Sequence, residues 1–337
     1  MRVLVLNAGS SSLKHALIDD ERVLDEGTER WSASETGGRH DAAVGDVVAA
    51  LASAPDAVGH RVVHGGARFS APARVDAAVI GAIRALSPLA PLHNPAAAAG
   101  IEAVQSALPD VPQVACFDTA FHHTLPLAAT TYALPADWRE RWDLRRYGFH
   151  GLNVEWCTRH VRARRLVVCH LGSGCSVTAV RDGRSVDTTM GWTPLEGVPM
   201  ATRAGSIDPG ILLRAASELP APELDEALNR DAGLLALAPA HPDLRALFDA
   251  AADGEPQARL AADVFVHHVA AAVAAMTASL GGLDALVFTA GVGENSALVR
   301  DEVTARVRHL GDDVEVLTIP AGEERLVASQ TAALLWP

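Results

Sequence analysis

A loop of small and hydroxyl-bearing residues follows the first apolar segment of the chain. Residues 3–6 are apolar and rich in β-branched side chains, which is typical of a buried strand, and Asn7 then begins a turn that contains Gly9 and three serines. Because such a turn has no bulky side chains, its backbone N–H groups can approach an oxyanion, and Lys14 adds a positive charge. The segment therefore suggests a phosphate-binding loop, although an ordinary turn between strands could have the same composition.

A second copy of this pattern lies in the middle of the chain. Residues 5–19 and 168–182 align without a gap, with Gly, Ser, Ala and Asp at matching positions. An internal repeat of this kind indicates two similar lobes that each present a hairpin tip, and a polyphosphate could lie between the tips. A third turn of the same class, residues 290–295, follows a predicted strand and precedes a predicted helix.

Three charged side chains stand at positions that favour a functional role. Arg61 interrupts a short apolar strand, and a buried cation needs either an internal carboxylate or an anionic ligand. Asp118 follows another predicted strand, where α/β proteins often place functional groups, although helix capping is a simpler explanation. Arg203 lies in a stretch rich in Gly, Pro and Thr, and loops of that length are usually functional. The small neighbours of Arg203 suggest that its side chain is presented and not packed.

Composition limits the classes of function that the chain can have. Its 337 residues and 49% hydrophobic content are enough for two domains, each with a core. A net charge of −13, with Lys14 as the single lysine, argues against nucleic-acid binding. The four cysteines form no C-x-x-C pair, which favours reduced thiols in the cytoplasm. The N-terminal apolar run is too short for a signal peptide, and charged or polar residues at 263, 267 and 268 favour a core helix over a membrane span.

Ten short motifs, taken in order, resemble those of the acetate kinase family. They are N-x-G-S-S-S-x-K, H-R-V-V-H-G-G, L-A-P-L-H-N-P, F-D-T-A-F-H, Y-G-F-H-G, H-L-G-x-G, M-G-x-T-P-L-E-G, T-R-x-G-x-I-D-P-G, F-T-A-G-x-G-E-N and I-P-x-x-E-E. The resemblance implies a two-lobed α/β fold of the duplicated ribonuclease H-like class, shared by actin, Hsp70-type chaperones and sugar kinases, with a nucleotide cleft between the lobes. The implied N-terminal lobe is residues 1–122 plus 324–337. The implied C-terminal lobe, for nucleotide binding and dimerisation, is residues 123–323.

The resemblance also implies a role for each motif residue. The implied catalytic residues are Asp118, His150 and Arg203. The implied substrate contacts are Arg61, for the carboxylate, and Val63, Leu92, His93, Phe149 and Pro194. The implied nucleotide contacts are Lys14, His170, Leu171, Gly172, Ser173, Gly174, Asp243, Leu244, Arg245, Gly291, Val292, Gly293, Glu294 and Asn295. The implied ligands of Mg²⁺ or Mn²⁺ are Asn7 and Glu323.

The function implied by the resemblance is reversible phosphoryl transfer from ATP to acetate by direct in-line attack, giving acetyl phosphate and ADP. Because a carboxylic acid with a pKa of about 4–5 is already ionised at neutral pH, it needs no general base. We therefore predict that Asp118 orients Arg61 or a magnesium-bound water. The alternatives are a kinase for propionate or another short-chain acid, another phosphoryl donor such as GTP or pyrophosphate, and a non-catalytic nucleotide switch. The implied assembly is a homodimer, with no nucleic-acid or membrane partner.

The chain departs from the family pattern in several places. Ser173 replaces the asparagine of H-L-G-N-G, and residues 152–154 replace T-S-H after F-H-G. The chain is also shorter than typical members, mainly between Lys14 and Arg61 and between Asn295 and Glu323. These departures bear on nucleotide preference and turnover. Because Asn7, Arg61, His150, Arg203 and Glu323 are kept, catalysis is expected to survive.

Overall fold

The computed structural model describes residues 1–9, 12–31, 39–51, 53–91, 93–311 and 313–337. The chain forms two compact units. Unit 1 comprises Met1–His123, Phe149–Trp156 and Gly322–Pro337, and unit 2 comprises Thr124–Gly148 and Cys157–Ala321. Residues 149–156, which the sequence analysis placed in the second lobe, are thus part of unit 1 in this division.

Regular secondary structure covers most of the described chain. The strands are β1 (Arg2–Ala8), β2 (Ser12–Asp19), β3 (Arg22–Arg30), β4 (Ala57–Val62), β5 (Ala73–Arg74), β6 (Gln113–Phe117), β7 (Arg165–Leu171), β8 (Cys175–Arg181), β9 (Arg184–Thr188), β10 (Ala285–Thr289) and β11 (Glu315–Thr318). The α-helices are α1 (Arg39–Ala50), α2 (Ala77–Ala85), α3 (Asn94–Ala107), α4 (Leu127–Thr130), α5 (Ala136–Arg141), α6 (Gly151–His160), α7 (Pro209–Ala216), α8 (Ala221–Glu226), α9 (Gly233–Leu237), α10 (Leu244–Ala252), α11 (Pro256–Leu280), α12 (Ala290–Asn295), α13 (Ala297–Val307) and α14 (Glu323–Leu335).

Unit 1 is built on a six-stranded sheet with the order β3-β2-β1-β4-β6-β5. The first three strands form an antiparallel meander, whereas β1, β4 and β6 run parallel to one another. β1 is apolar without alternation because helices cover both of its faces. Leu4 and Leu6 belong to one core cluster with residues of α1 and α3, and Val3 and Val5 belong to another with residues of α14. The buried strand predicted at residues 3–6 is confirmed.

Unit 2 repeats this arrangement with different residues. Its five-stranded sheet has the order β11-β10-β7-β8-β9. Here β7, β8 and β9 form the antiparallel meander, and β7, β10 and β11 are parallel. The hairpin of β7 and β8 therefore holds the same place in its sheet as the hairpin of β1 and β2 does in unit 1. The internal repeat predicted from the sequence is confirmed as a structural duplication.

The long helix α11 lies in the core of unit 2. By length and composition it could cross a membrane, and it is the one helix of the described chain for which this is true. However, it packs against β7, β8, α10 and α13, and its buried residues include Phe265, Val269 and Val273. It ends at Gly281, which adopts the left-handed conformation that favours glycine at a helix C-terminus. The predicted core helix is confirmed.

Two buried histidines of unit 1 make its stability depend on pH. Nε2 of His60 donates to Gln113 Oε1 (2.7 Å) and Nε2 of His122 donates to the Phe149 carbonyl (3.0 Å). Burial lowers the pKa of both imidazoles to about 4, against 6.5 for an unperturbed histidine. Between these values the unfolded chain binds protons that the folded chain does not, so stability falls as the pH falls from 6.5 towards 4.

We expect each of these histidines to remove about 1.4 kcal/mol of unfolding free energy per pH unit across that window. Urea unfolding of the wild type and of His60→Gln at several pH values measures the effect. The variant should show a shallower loss of stability below pH 6.5 than the wild type. Equal pH slopes for the two proteins would contradict the assignment to His60.

Candidate active site

The carboxyl ends of three parallel strands bring predicted site residues of unit 1 together. β1 and β4 are paired with Leu6 opposite His60, so Asn7 and Arg61 follow on neighbouring strands. Arg61 is opposite Cys116 of β6, and Asp118 comes directly after that strand. Parallel strands end at the same edge of a sheet, and such edges are where α/β proteins bind ligands. Asn7 is also paired with Lys14 across the β1–β2 hairpin.

Arg61 and Asp118 form a buried ion pair at this edge. Arg61 Nη2 donates to Asp118 Oδ2 (2.8 Å) and Arg61 Nε donates to Oδ1 (3.3 Å). The Asp118 side chain is 1% exposed and that of Arg61 is 21% exposed. Burial by itself would lower the pKa of Arg61, but the nearby carboxylates of Asp118, Glu323 and Glu324 outweigh it and raise that pKa. Of the two partners considered for Arg61, the structure shows the internal carboxylate, that of Asp118.

A strained backbone fixes His150 next to this pair. His150 has φ = 58°, in the left-handed region that residues other than glycine rarely adopt. The N–H of the following Gly151 donates to the Asp118 carbonyl (2.9 Å). A Cβ atom on Gly151 would lie 2.2 Å from that oxygen, so the approach requires glycine. The chain thus turns sharply at His150 to begin α6 against the end of β6.

The predicted apolar substrate contacts of unit 1 lie around the same strand ends. Val63 follows β4 directly and is half-buried. Phe149 is 1% exposed, and its ring meets that of His64 edge to face at 5.3 Å. His93 is half-buried immediately before α3. Leu92 lies outside the described residues.

The predicted metal ligands fit a magnesium site with few protein donors. Asn7 is half-buried near the end of β1, and Glu323 is the first residue of α14. The influence of Glu323 on the pKa of Arg61 places its carboxylate near that guanidinium. Amide and carboxylate oxygens suit Mg²⁺, which usually keeps several waters and binds substrate phosphates. Among the described residues there is no group of three or more His, Cys, Asp or Glu side chains that could hold a metal ion.

In unit 2 the repeat hairpin ends in a tight loop at residues 172–174. The Gly172 N–H donates to the Gly174 carbonyl (3.1 Å), and Cys175 Sγ donates to the Gly172 carbonyl (3.2 Å). His170 and Leu171 are buried at the end of β7, whereas Ser173 is exposed at the tip. The small residues therefore do make a turn with exposed backbone, as the sequence predicted.

A cavity of about 520 Å³ in unit 2 joins three segments that are far apart in the sequence. Its size is within the range of small-ligand sites. The lining residues are Gly172, Ser173, Asp243, Leu244, Arg245, Phe248, Asp249, Gly291, Val292, Asn295 and Ser296. The structure thus brings together the glycine loop, the start of α10 and the helix α12 predicted to follow β10.

Several details of this cavity could not be assigned from the motifs. Glu294 accepts a hydrogen bond from the Ala321 N–H (2.9 Å). Glu294 and Gly293 are not among the residues that line the cavity. Phe248 and Asp249 do line it, each four residues after a predicted contact, and this helical spacing was a signal that could have found them. Asp243 also caps α10 by accepting from the Ala246 N–H (2.9 Å).

Arg203 is less exposed than its small neighbours suggested. Its Nη1 donates to the Pro194 carbonyl (2.8 Å), which links two residues of the predicted site. Burial lowers the pKa of Arg203, and the nearby Cys175 opposes this shift. The expectation that Arg203 is presented and not packed was therefore wrong, because its guanidinium packs into the loop that carries it.

Comparison with known proteins now assigns the family. The Acetokinase family profile matches residues 44–335. An acetate kinase from Deinococcus radiodurans is 43% identical to this chain, over 99% of this chain and 98% of that protein. The chain belongs to the acetokinase family.

Solved acetokinase structures confirm the predicted fold. A propionate kinase from Francisella tularensis has a TM-score of 0.91 and 35% identity, over 98% of this chain and 99% of that one. An acetate kinase from Porphyromonas gingivalis has a TM-score of 0.89 and 32% identity, over 99% of each chain. The two sheets of this acetokinase-family chain are therefore the duplicated α/β architecture that the motifs implied.

We expect Gly151→Ala to lower turnover at least about a hundredfold, because the new Cβ would collide with the Asp118 carbonyl and displace His150. Steady-state kinetics measure the loss, and nucleotide binding at unit 2 should stay near the wild-type value. Gly45→Ala is the matched control, since a Cβ on Gly45 meets nothing within 4 Å. Wild-type turnover in Gly151→Ala would contradict the role given to this turn.

Proposed function

We propose that the protein catalyses reversible phosphoryl transfer from ATP to acetate, giving acetyl phosphate and ADP. The observation that carries this proposal is the fixed guanidinium of Arg61 at the edge of the first sheet. Its Nε and Nη2 are held by Asp118, so Nη1 is the donor that a substrate carboxylate would use. A nucleotide-dependent switch would have no need for a guanidinium fixed in this way at the edge of the sheet.

The groups of unit 1 are proposed to bind and orient the acid. Arg61 binds the carboxylate, and the apolar side chains of Val63 and Phe149 contact its methyl group. Asp118 orients Arg61 and does not serve as a base, because the carboxylate substrate is ionised at neutral pH. His150 donates to an oxygen of the transferring phosphoryl group, which stabilises the charge that develops there.

Asn7 and Glu323 are the residues that would hold Mg²⁺. When bound, the ion neutralises charge on the phosphate oxygens. Lys14, paired with Asn7 across the β1–β2 hairpin, supplies a further positive charge to the nucleotide phosphates.

The groups of unit 2 are proposed to bind the nucleotide. The loop of residues 170–174 contacts the phosphates, and the cavity that it forms with α10 and α12 holds the adenosine. Arg203 binds the transferring phosphoryl group. Because Arg203 Nη1 already donates to the Pro194 carbonyl, the side chain loses less conformational entropy when the transition state forms.

A second candidate substrate is propionate. The observation that favours it is the likeness to a propionate kinase, with a TM-score of 0.91 and 35% identity. One methylene group in an apolar pocket changes selectivity only about 10- to 200-fold, so one protein can use both acids.

We also propose a cytoplasmic homodimer. Four cysteines, Cys116, Cys157, Cys169 and Cys175, are buried as free thiols, which suits a reducing compartment. Burial raises the pKa of Cys175 to about 12, so this thiol stays protonated and unreactive at neutral pH.

We expect a hydroxamate assay to detect acyl phosphate with acetate and, more weakly, with propionate, but not with formate or butyrate. ATP, GTP and pyrophosphate should be compared as donors, and the nucleotides are expected to be better than pyrophosphate because unit 2 has a cavity large enough for a nucleoside. Release of ADP without any dependence on added carboxylate would instead support a nucleotide switch.

We expect Arg203→Ala to lower turnover by about three orders of magnitude or more, because it removes charge stabilisation from the transferring group. Nucleotide affinity, measured by calorimetry, should be nearly unchanged. Arg184→Ala, which alters an exposed arginine of the same unit, is the control and should behave as the wild type. A loss of less than tenfold for Arg203→Ala would count against its assigned role.

A further inference from the structure

The loop between β9 and α7, residues 189–208, carries both Pro194 and Arg203. In the structure this loop contains neither helix nor strand. Ordering an irregular segment of this length is entropically costly, so contacts from outside the loop add to those within it in defining its conformation. The residues that make those contacts control where Pro194 and Arg203 lie.

Arg146 makes the most extensive side-chain contact with the beginning of this loop. Its Nη1 donates to three successive carbonyls, those of Thr188 (3.1 Å), Thr189 (2.9 Å) and Met190 (3.1 Å). Its Nη2 donates to Glu196 Oε1 at 2.5 Å. The side chain is 17% exposed. A guanidinium can span these acceptors because its donors form a rigid planar fork, which a lysine lacks.

Glu196 connects Arg146 to Tyr132 and, through the Tyr132 hydroxyl, to the backbone of Trp192. Its Oε2 accepts from the Tyr132 hydroxyl, and the same hydroxyl oxygen accepts from the Trp192 N–H (2.9 Å). Burial and the Glu196 carboxylate raise the pKa of Tyr132, so the hydroxyl remains protonated and able to donate. Residues 192 and 196 are thereby fixed, and both lie two positions from Pro194.

Gly191 shows how closely these groups are packed. A Cβ atom there would lie 1.8 Å from Glu196 Oε2 and 2.2 Å from the Tyr132 hydroxyl oxygen. The Gly191 carbonyl accepts from the Tyr147 N–H (3.0 Å), so backbone as well as side chains hold this part of the loop. The network of Arg146, Glu196 and Tyr132 thus determines the path of the chain on both sides of Pro194.

We propose that Arg146 is a positioning residue that sets acid selectivity through Pro194 and turnover through Arg203. The link to Arg203 is direct, because its Nη1 donates to the carbonyl of Pro194 itself. A shift of Pro194 therefore moves a proposed substrate contact and changes the orientation of the Arg203 guanidinium together. The inference rests on the proposed function, which gives Pro194 and Arg203 their roles in the reaction.

The test compares Arg146→Ala, Arg146→Lys and Glu196→Gln with the wild type, using acetate and propionate. For Arg146→Ala we expect the ratio of kcat/KM for acetate to that for propionate to change about tenfold, and kcat to fall about 10- to 100-fold. Arg146→Lys should recover little, and Glu196→Gln should shift selectivity in the same direction by a smaller factor. The KM for the nucleotide should be unchanged, because neither Arg146 nor Glu196 lines the cavity of about 520 Å³ that is proposed to hold the adenosine.

A double substitution separates positioning from general destabilisation. If Arg146 acts through Arg203, adding Arg146→Ala to Arg203→Ala should lower kcat by less than about threefold further. Arg141→Ala, an exposed arginine of the same segment, is the control. A full multiplicative loss in the double variant would overturn the inference, as would an equal loss for both acids accompanied by weakened nucleotide binding.

Failure of the inference and failure of the proposed function give different results. A wild-type protein that forms no acyl phosphate from either acid overturns the proposed function. A wild-type protein that is active, with unchanged selectivity in Arg146→Ala and Glu196→Gln, overturns the role of Arg146 alone.

Discussion

The arrangement of unit 1 depends on a guanidinium that is about four-fifths buried beside a carboxylate that is almost wholly buried. Neither charge could occupy this position without the other, since an unpaired buried ion is strongly destabilising. The sheet satisfies this constraint by its register, because Arg61 near the end of β4 and Asp118 just beyond β6 lie on adjacent parallel strands. The Asp118 carboxylate pairs with Arg61, and the Asp118 backbone carbonyl accepts from the Gly151 N–H, which holds the turn at His150. One residue thus aligns a side chain and a loop at the same edge.

Sequence identity to family members does not determine which carboxylic acid this protein uses as its substrate. An acetate kinase is 43% identical to this chain, and structures of a propionate kinase and an acetate kinase share 35% and 32% identity with it. Such similarity reflects the two sheets and their helices, which make up most of the chain. Which acid is used depends instead on the few side chains that contact its alkyl group, and one methylene group in an apolar pocket changes selectivity only about 10- to 200-fold.

Much of the fold could be predicted because local patterns and tertiary structure agree. The continuous apolar run of β1 and the gapless repeat at β7 and β8 each reflect a single physical requirement. The position of Asp118 directly after β6 likewise indicated a functional group at the carboxyl end of a strand. The packing of Arg203 could not be read from its small neighbours, since its partner is a backbone carbonyl nine positions away. The contacts of Arg146 with three carbonyls could not be predicted either, because every residue type has a backbone carbonyl.

The left-handed backbone of His150 limits how this protein can be stabilised. Glycine is the residue that relieves such a conformation, and asparagine tolerates it better than most. Either replacement would relax the chain but would remove the imidazole that we propose donates to the transferring phosphoryl group, so thermal stability and the proposed chemistry favour different residues at this position. Selection for heat resistance in the absence of substrate should therefore favour the loss of this histidine.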